Sequence, residues 1–462
     1  MPARKRVGSV SIFEHHGSWY TFHTGPDGPV RRRVDGGEAQ AEYEASLQNA
    51  RLIAAAAKLD VRAAGAGEAV TPVRVAVAEL RRRFLHHHEH VLGSAVATVA
   101  RYRSATQYVT ELAERRGWDA ATVEVGQFLE HLRRVEVAPN GHRNTAKRRL
   151  RDKGIRYILE TCRSMYHFGI RHGVLPPSLA NPFTRFGIGR LRVRDAKPIF
   201  VFDAGQELAF FSAATPWAFA VHFTLAKTGL RPGELAHLLI EDLDLAGGWL
   251  HVRGKPELGW SVKTGRDRRV PLVPELVEVI RSMVLGRAAG PVFLREQFDV
   301  NATGAVSGNR AALAASARCR LTALEDTLDR PPTRTEAAAC IRGIWRDAGA
   351  ADVDRVRTTF VAAARGAKLA HAATCPKSWR HTFATLMQEA NVDLLIRQET
   401  LGHKSVSAVA SALGMTSVYT HTTPALQKSE VTRALSLREG SLALVATRSA
   451  HAIEGKVNHV VR

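Results

Sequence analysis

Lysine, arginine, histidine and tyrosine gather near the end of this sequence, and their common chemical target is a phosphodiester. They stand in C-P-K-S-W-R-H-T-F-A-T (Cys375–Thr385), L-G-H (Leu401–His403) and V-Y-T-H (Val418–His421). A second cationic cluster, T-G-L-R-P-G-E-L (Thr228–Leu235), lies far upstream. Exchange at phosphorus through a protein nucleophile needs an attacking oxygen, cations around the non-bridging oxygens and a proton donor for the leaving oxygen. Tyr419 offers the oxygen, which becomes a useful nucleophile only beside strong positive charge. Arg231 sits at an expected helix start, where its guanidinium and free backbone N–H groups can face a phosphate. If Pro376 opens a helix, Lys377 and Arg380 share a face. Lys263 projects from the V-K-T-G-R-D-R turn of a hairpin, and His403 from a helix-to-loop junction. Singly, each has a plainer reading: Arg231 paired with Glu234, Lys263 as one of many hairpin charges, Tyr419 as a core cap with its hydroxyl wet.

The bulk properties agree with a polyanionic partner. The chain has 462 residues, 45% hydrophobic and 24% charged, which is globular composition. Its length suggests roughly two to four domains. The formal charge of +21 favours DNA or RNA over a membrane, through long-range attraction and counterion release. Cys162, Cys319, Cys340 and Cys375 form no C-x-x-C pair, so neither structural zinc nor a disulfide framework is expected. The tract H-H-H-E-H (His86–His90) reads as a solvated helix face before a metal site. No apolar run reaches spanning length, which makes a cytoplasmic, nucleoid-associated protein without a membrane partner the expectation.

The elements that must position these groups follow from periodicity. Residues 8–35 alternate as three short strands with turns at His16-Gly17 and Gly25–Gly28, and a helix should run from Gly37 to Ala57. Trp19, Tyr20 and Phe22 would be buried on one side, Arg31, Arg32 and Arg33 would meet DNA from the last strand, and Lys5 and Arg6 form a basic arm. Helices are expected over Val73–His88, Ser94–Arg116, Thr122–Arg134 and Asn144–His172. Where the chain enters the last of these, Arg143, Lys147, Arg148 and Arg151 would make a basic stripe facing phosphates, while Tyr157, Met165, Tyr166 and Phe168 belong to the core. Residues 181–198 read as a cationic linker. Beyond Pro198 come helices over Asp203–Ala214, Trp217–Lys227 and Pro274–Leu285, one opening at Pro232, two strands with tight turns, and a helical insertion near 303–347 with a Pro-Pro-Thr break.

On these residues the chain resembles the tyrosine recombinases of the phage-integrase type. T-G-L-R-P-G-E-L is similar to the family's first arginine box, R-R-V-P-L to the end of its lysine hairpin, and K-S-W-R-H to its second box, with Lys377 in place of the usual histidine. The resemblance implies a catalytic set of Tyr419, Arg231, Lys263, Lys377, Arg380 and His403, supported by Glu234 and His381. It implies a multidomain, mainly α fold with small β-sheets: an arm-type DNA-binding module (1–60), a helical, SAM-like core-binding domain (71–180), a linker (181–198), an α+β catalytic domain (199–425) and a C-terminal tail (426–462) whose helix packs in trans on a neighbour. It further implies conservative strand exchange at specific core sites of double-stranded DNA through a 3′-phosphotyrosyl bond, without cofactor or metal. A tetramer would act on two duplexes, with DNA-bending accessory proteins as further partners, in the service of a mobile genetic element. Two departures stand out. An unperturbed lysine at position 377 stays charged and is a poor base. The sixteen positions from His403 to Tyr419 exceed the family's usual spacing.

Two alternatives share the site: a type IB topoisomerase-like relaxing enzyme, and a non-catalytic DNA-binding protein on the same fold. The absence of a long coiled linker before Tyr419 argues against the first, and the full set of candidate groups against the second. A metal-dependent nuclease lacks its carboxylate cluster.

Overall fold

A computed structural model describes residues 5–25, 28–63, 74–138, 144–195, 198–284, 286–296, 298, 308–403 and 422–448. The chain divides into two compact units, residues 1–79 with 116–123, and residues 80–115 with 124–462.

The first unit opens with an antiparallel sheet in chain order: β1 (Lys5–Val7), β2 (Val10–His15), β3 (Ser18–Gly25) and β4 (Gly28–Val34). The β2–β3 turn uses His16 and Gly17, both at positive φ, a conformation that suits two-residue hairpin loops. The basic arm is therefore partly a strand: Lys5 pairs with Ile12, and its ammonium is 3.2 Å from Glu38. The helix α1 (Glu38–Ala63) runs six residues beyond its expected end and covers Val10, Ile12, Val34 and Trp19 with Ala41 and Ala45. The expectation that Trp19, Tyr20 and Phe22 share one side fails, because successive strand residues point to opposite faces. Tyr20 stacks on Phe13 across the other face, and the Arg31 guanidinium lies 4.1 Å from the Tyr20 ring centre.

Four longer helices follow, α2 (Val77–His86), α3 (Val96–Arg116), α4 (Val125–Arg134) and α5 (Asp152–Arg171). In the second unit Leu80, Phe84, Met165 and Tyr166 are buried, and Gly169 lets α5 approach Leu80. Tyr157 is only half-buried, beneath Arg101. The expected basic helix stripe is corrected. Arg148 and Arg149 form a short strand, β6, paired with β5 (Glu136–Val137), and the helix starts only at Asp152. Arg151, its N-cap, is extended, so Lys147, Arg148 and Arg151 are exposed but off the helix. Residues 181–195 are anchored as well. Asn181 caps α6 (Pro182–Arg185), Phe183 is fully buried, and Asp152 and Asp195 exchange hydrogen bonds with the backbone of Arg194 and Asp152.

The remaining elements build around α8 (Pro216–Thr228), whose residues from Trp217 onward are all buried, as befits a helix apolar on every side. Against it pack α7 (Ala204–Ala213), α10 (Pro274–Val284), α13 (Val353–Gly366) and α14 (Lys377–Glu389). The core is aromatic: Trp379 stacks on Phe202 at 3.9 Å and on Phe211 at 5.1 Å. A three-stranded sheet, β7 (Leu243–Asp244), β8 (Trp249–Val252) and β9 (Arg268–Pro271), lies beyond the short α9 (Pro232–Ala236). The insertion folds as two helices, α11 (Arg310–Leu328) and α12 (Arg334–Asp347), the latter opened by a Thr333–Glu336 capping box. After α15 (Leu394–Leu401), the helix α16 (Pro424–Ser436) buries Val431, Ala434 and Leu435 in its own core. Its large exposed apolar positions are Leu426 and, just past its end, Leu437. The following segment is tied in cis too. Ser441 bonds to buried Lys227 at 2.6 Å and to Glu207 at 2.7 Å.

Candidate active site

The site is assembled around one carboxylate. Glu234, 3% exposed in the first turn of α9, accepts the Arg231 backbone N–H at 2.9 Å and its guanidinium at 2.6 Å. Arg268 of β9 grips the same carboxylate with both terminal nitrogens, at 2.7 and 3.2 Å. Burial alone would raise the Glu234 pKa, but the hydrogen bond and charge of Arg268, then Arg231, hold it below the usual range. The carboxylate therefore fixes two guanidiniums as a rigid unit, leaving Arg231 partly open to solvent.

Arg380 enters from α14. It donates to the carbonyls of Gly229 at 2.7 Å and of Leu401. Gly229 is at positive φ, and a Cβ there would come within 2.6 Å of the Phe383 ring, so the first box needs its glycine. Burial, then the nearby Arg231, lowers the Arg380 pKa to about 10. His403 follows α15 through a Schellman cap, with Gly402 N–H donating to Glu399 and His403 N–H to Gln398. Burial lowers its pKa, and Arg380, Arg231 and Arg268 lower it further, so its imidazole is neutral near pH 7. Arg231, Arg268, Arg380 and His403 are thus close enough to influence one another.

Two other candidates sit nearer solvent. Lys377 is exposed on the first turn of α14, and the half-buried His381 one turn on has its pKa lowered by burial, then by Lys377 and Arg380. Lys263 is exposed in a turn closed by the Gly265 N–H to Val262 carbonyl bond. Tyr419 lies outside the described residues, as does Arg143. Arg31, Arg32 and Arg33 are exposed along β4, remote in sequence from this cluster and in the other unit.

Sequence reasoning missed Arg268, although a signal was present. Val270 points into the core, so period-two alternation turns Arg268 inward while Arg269 lies outward over Trp249. Its Nε also donates to the Thr400 carbonyl at 3.0 Å, tying the hairpin to α15. Gln427 of α16 bonds the Thr400 hydroxyl at 3.0 Å, a link that no motif announced. Among the described residues no cluster of histidine, cysteine or carboxylate side chains is arranged to hold a metal, and no helix is long and apolar enough to cross a membrane.

No family model matches the chain. The tyrosine recombinase XerC of Lactobacillus delbrueckii subsp. bulgaricus is 26% identical over 266 residues, covering 57% of this chain and 70% of that protein. A tyrosine recombinase XerC from Pelobacter propionicus is 30% identical over 206 residues, 44% of this chain and 46% of its own length. The chain is thus similar in sequence to tyrosine recombinases over about half of its length. Among solved structures, the Tn1549 transposon integrase in complex with a circular intermediate DNA aligns with a TM-score of 0.44 at 15% identity, over 78% of this chain and 99% of that chain.

Proposed function

We propose that this protein is a recombinase that cleaves and rejoins double-stranded DNA at specific core sites through a 3′-phosphotyrosyl intermediate. In that reading the Tyr419 hydroxyl attacks phosphorus, the P–O5′ bond breaks, and Lys263 gives its proton to the departing 5′ oxygen. Neutral His403 is suited to accept a proton from the tyrosine. Arg231, Arg380 and Lys377 surround the non-bridging oxygens as charge develops, while Glu234, with His381 alongside, orients the cations. A 5′-hydroxyl from a second duplex then reverses the chemistry, which calls for four protomers on two duplexes. The domain roles follow: residues 1–60 touch arm-type DNA, 71–180 grip the core site from one side and 199–425 carry the chemistry. Exposed Lys147, Arg148 and Arg151, and Arg31–Arg33 on β4, are the proposed backbone contacts.

The observation that supports this most is the fixing of Arg231 and Arg380 beside His403 by three anchors: the Glu234 carboxylate and the carbonyls of Gly229 and Leu401. Such preorganised cations serve a pentacoordinate phosphorus without rearranging during the reaction. The test begins by selecting a binding duplex from a randomised pool with this protein. A nicked suicide version is then incubated with it and run on a denaturing gel. Covalent protein–DNA product without added metal or nucleotide supports the reading. Tight binding with no adduct favours the non-catalytic alternative.

A further inference from the structure

The insertion α11–α12 packs against the loop that precedes the Lys263 turn. After β8 the chain makes a small lobe, residues 255–260, closed by reciprocal backbone hydrogen bonds between Lys255 and Trp260. Lys255 anchors the lobe from within, buried and 2.7 Å from Asp242. The chain then passes through buried Val262 to Lys263, and Asp267 ties back to the Gly254 N–H at 2.9 Å. Lys263 itself is exposed. The position of its ammonium therefore depends on how firmly the 255–260 lobe is held.

The insertion does the holding. Leu258, 1% exposed, lies in a separate apolar cluster with Leu313, Ala314 and Ala317 of α11 and Ile344 and Trp345 of α12. The buried Trp345 indole N–H donates to the Leu258 carbonyl at 3.0 Å. Arg310, the first residue of α11, closes a two-point ion pair on Glu257, and its backbone N–H reaches Glu241 at 3.2 Å. Gly259, at positive φ, allows Ile341 within 3.2 Å of where a Cβ would stand. The outer end of the hairpin is braced as well. Arg334 donates to the carbonyls of Glu89 at 2.9 Å and Gly93 at 3.1 Å, at the end of the α2 helical stretch.

We propose that α11–α12 is a strut that sets the reach of Lys263, with Trp345 and Arg310 as positioning residues for proton delivery to the leaving oxygen. This rests on the reading of Lys263 as the general acid. An alkoxide leaving group needs that proton as the P–O5′ bond breaks. A thiolate does not, because a thiol is acidic enough to leave with the bonding electrons unprotonated. A duplex with sulfur in place of the scissile 5′ oxygen therefore separates proton delivery from everything else the site does.

The experiment compares wild type, Lys263→Ala, Trp345→Phe and Arg310→Gln on the ordinary suicide duplex and on its 5′-bridging phosphorothiolate counterpart. Trp345→Phe keeps an aromatic ring but loses the indole N–H and part of the buried volume, whereas Arg310→Gln alters a partly exposed position and tests the same lobe without touching the cluster. On ordinary DNA both positioning variants are expected to cleave about 10- to 100-fold more slowly, a fraction of what a general acid supplies. On the phosphorothiolate they should return to within about threefold of wild type, alongside Lys263→Ala. Rescue of Lys263→Ala without rescue of Trp345→Phe and Arg310→Gln overturns the strut and leaves the acid standing. So does wild-type cleavage of ordinary DNA by both variants. Failure to rescue Lys263→Ala sinks the acid assignment and the strut with it.

Discussion

Removing the Glu234 carboxylate strips the counter-charge from two guanidiniums at once. Glu234 is 3% exposed and the Arg268 side chain 6%, whereas the Arg231 side chain keeps 26% of its surface in water. The loss is therefore dominated by Arg268, stranded in the interior. Cutting one partner of a buried pair costs about 3–5 kcal/mol. At about 2.1 cal/mol/K of unfolding entropy per residue, that is a fall in Tm of about 4–6 °C for a unit of this size. Glu234→Gln keeps the shape and one acceptor oxygen and should lie at the lower end, with Glu234→Ala at the upper. Urea melts followed by tryptophan fluorescence report the right region, since Trp379 is stacked in the core. A cycle with Arg268→Met should show coupling of about 1–3 kcal/mol, as expected for groups in one network. The folded-state pKa of Glu234 is depressed, so its stabilisation is complete above the unfolded value and disappears as pH falls through the folded one. Glu234→Gln should lack that acid-side dependence. A loss below about 1 kcal/mol with no coupling would refute the idea that this carboxylate organises the site.

Other expectations follow from single contacts. Gly402→Ala places a Cβ 2.8 Å from the Arg268 side chain at a φ of +64°, and should cost about 1–2 kcal/mol or more, read as lowered melting and slower cleavage together. His222 is fully buried with its pKa lowered to about 3 by burial, so below pH 6.5 only the unfolded chain takes up its proton. Stability should then fall by up to about 1.4 kcal/mol per pH unit toward pH 3, and His222→Phe should lessen that slope in acid melts. Ser441→Ala leaves the buried Lys227 and Glu207 one partner short and should cost about 1–3 kcal/mol in the same assay, without changing oligomeric state by light scattering.

How much of this was legible depended on whether a signal was local. The β2–β3 turn, the helices at Ala204, Pro216 and Pro274, and the junction before His403 are written in glycine, proline and capping residues a few positions apart. Arg231, Glu234, Arg380 and His403 were found through such motifs. Arg148 misled because a run of cations suits a helix and a solvated strand equally, and its pairing with Val137 is set by tertiary placement. Lys227 read simply as the end of a helix, since nothing nearby in sequence announces Glu207 or Ser441 as its partners. The C-terminal helix showed an apolar stripe, but the stripe alone does not say whose core receives it.

The most direct test of the account is to identify the amino acid that becomes joined to DNA. Protease digestion of the trapped complex followed by mass spectrometry should find a nucleotide remnant on the peptide containing Tyr419, with a free 5′-hydroxyl on the released strand and no adduct from Tyr419→Phe. A remnant on any other residue, or an undiminished adduct from Tyr419→Phe, would contradict it.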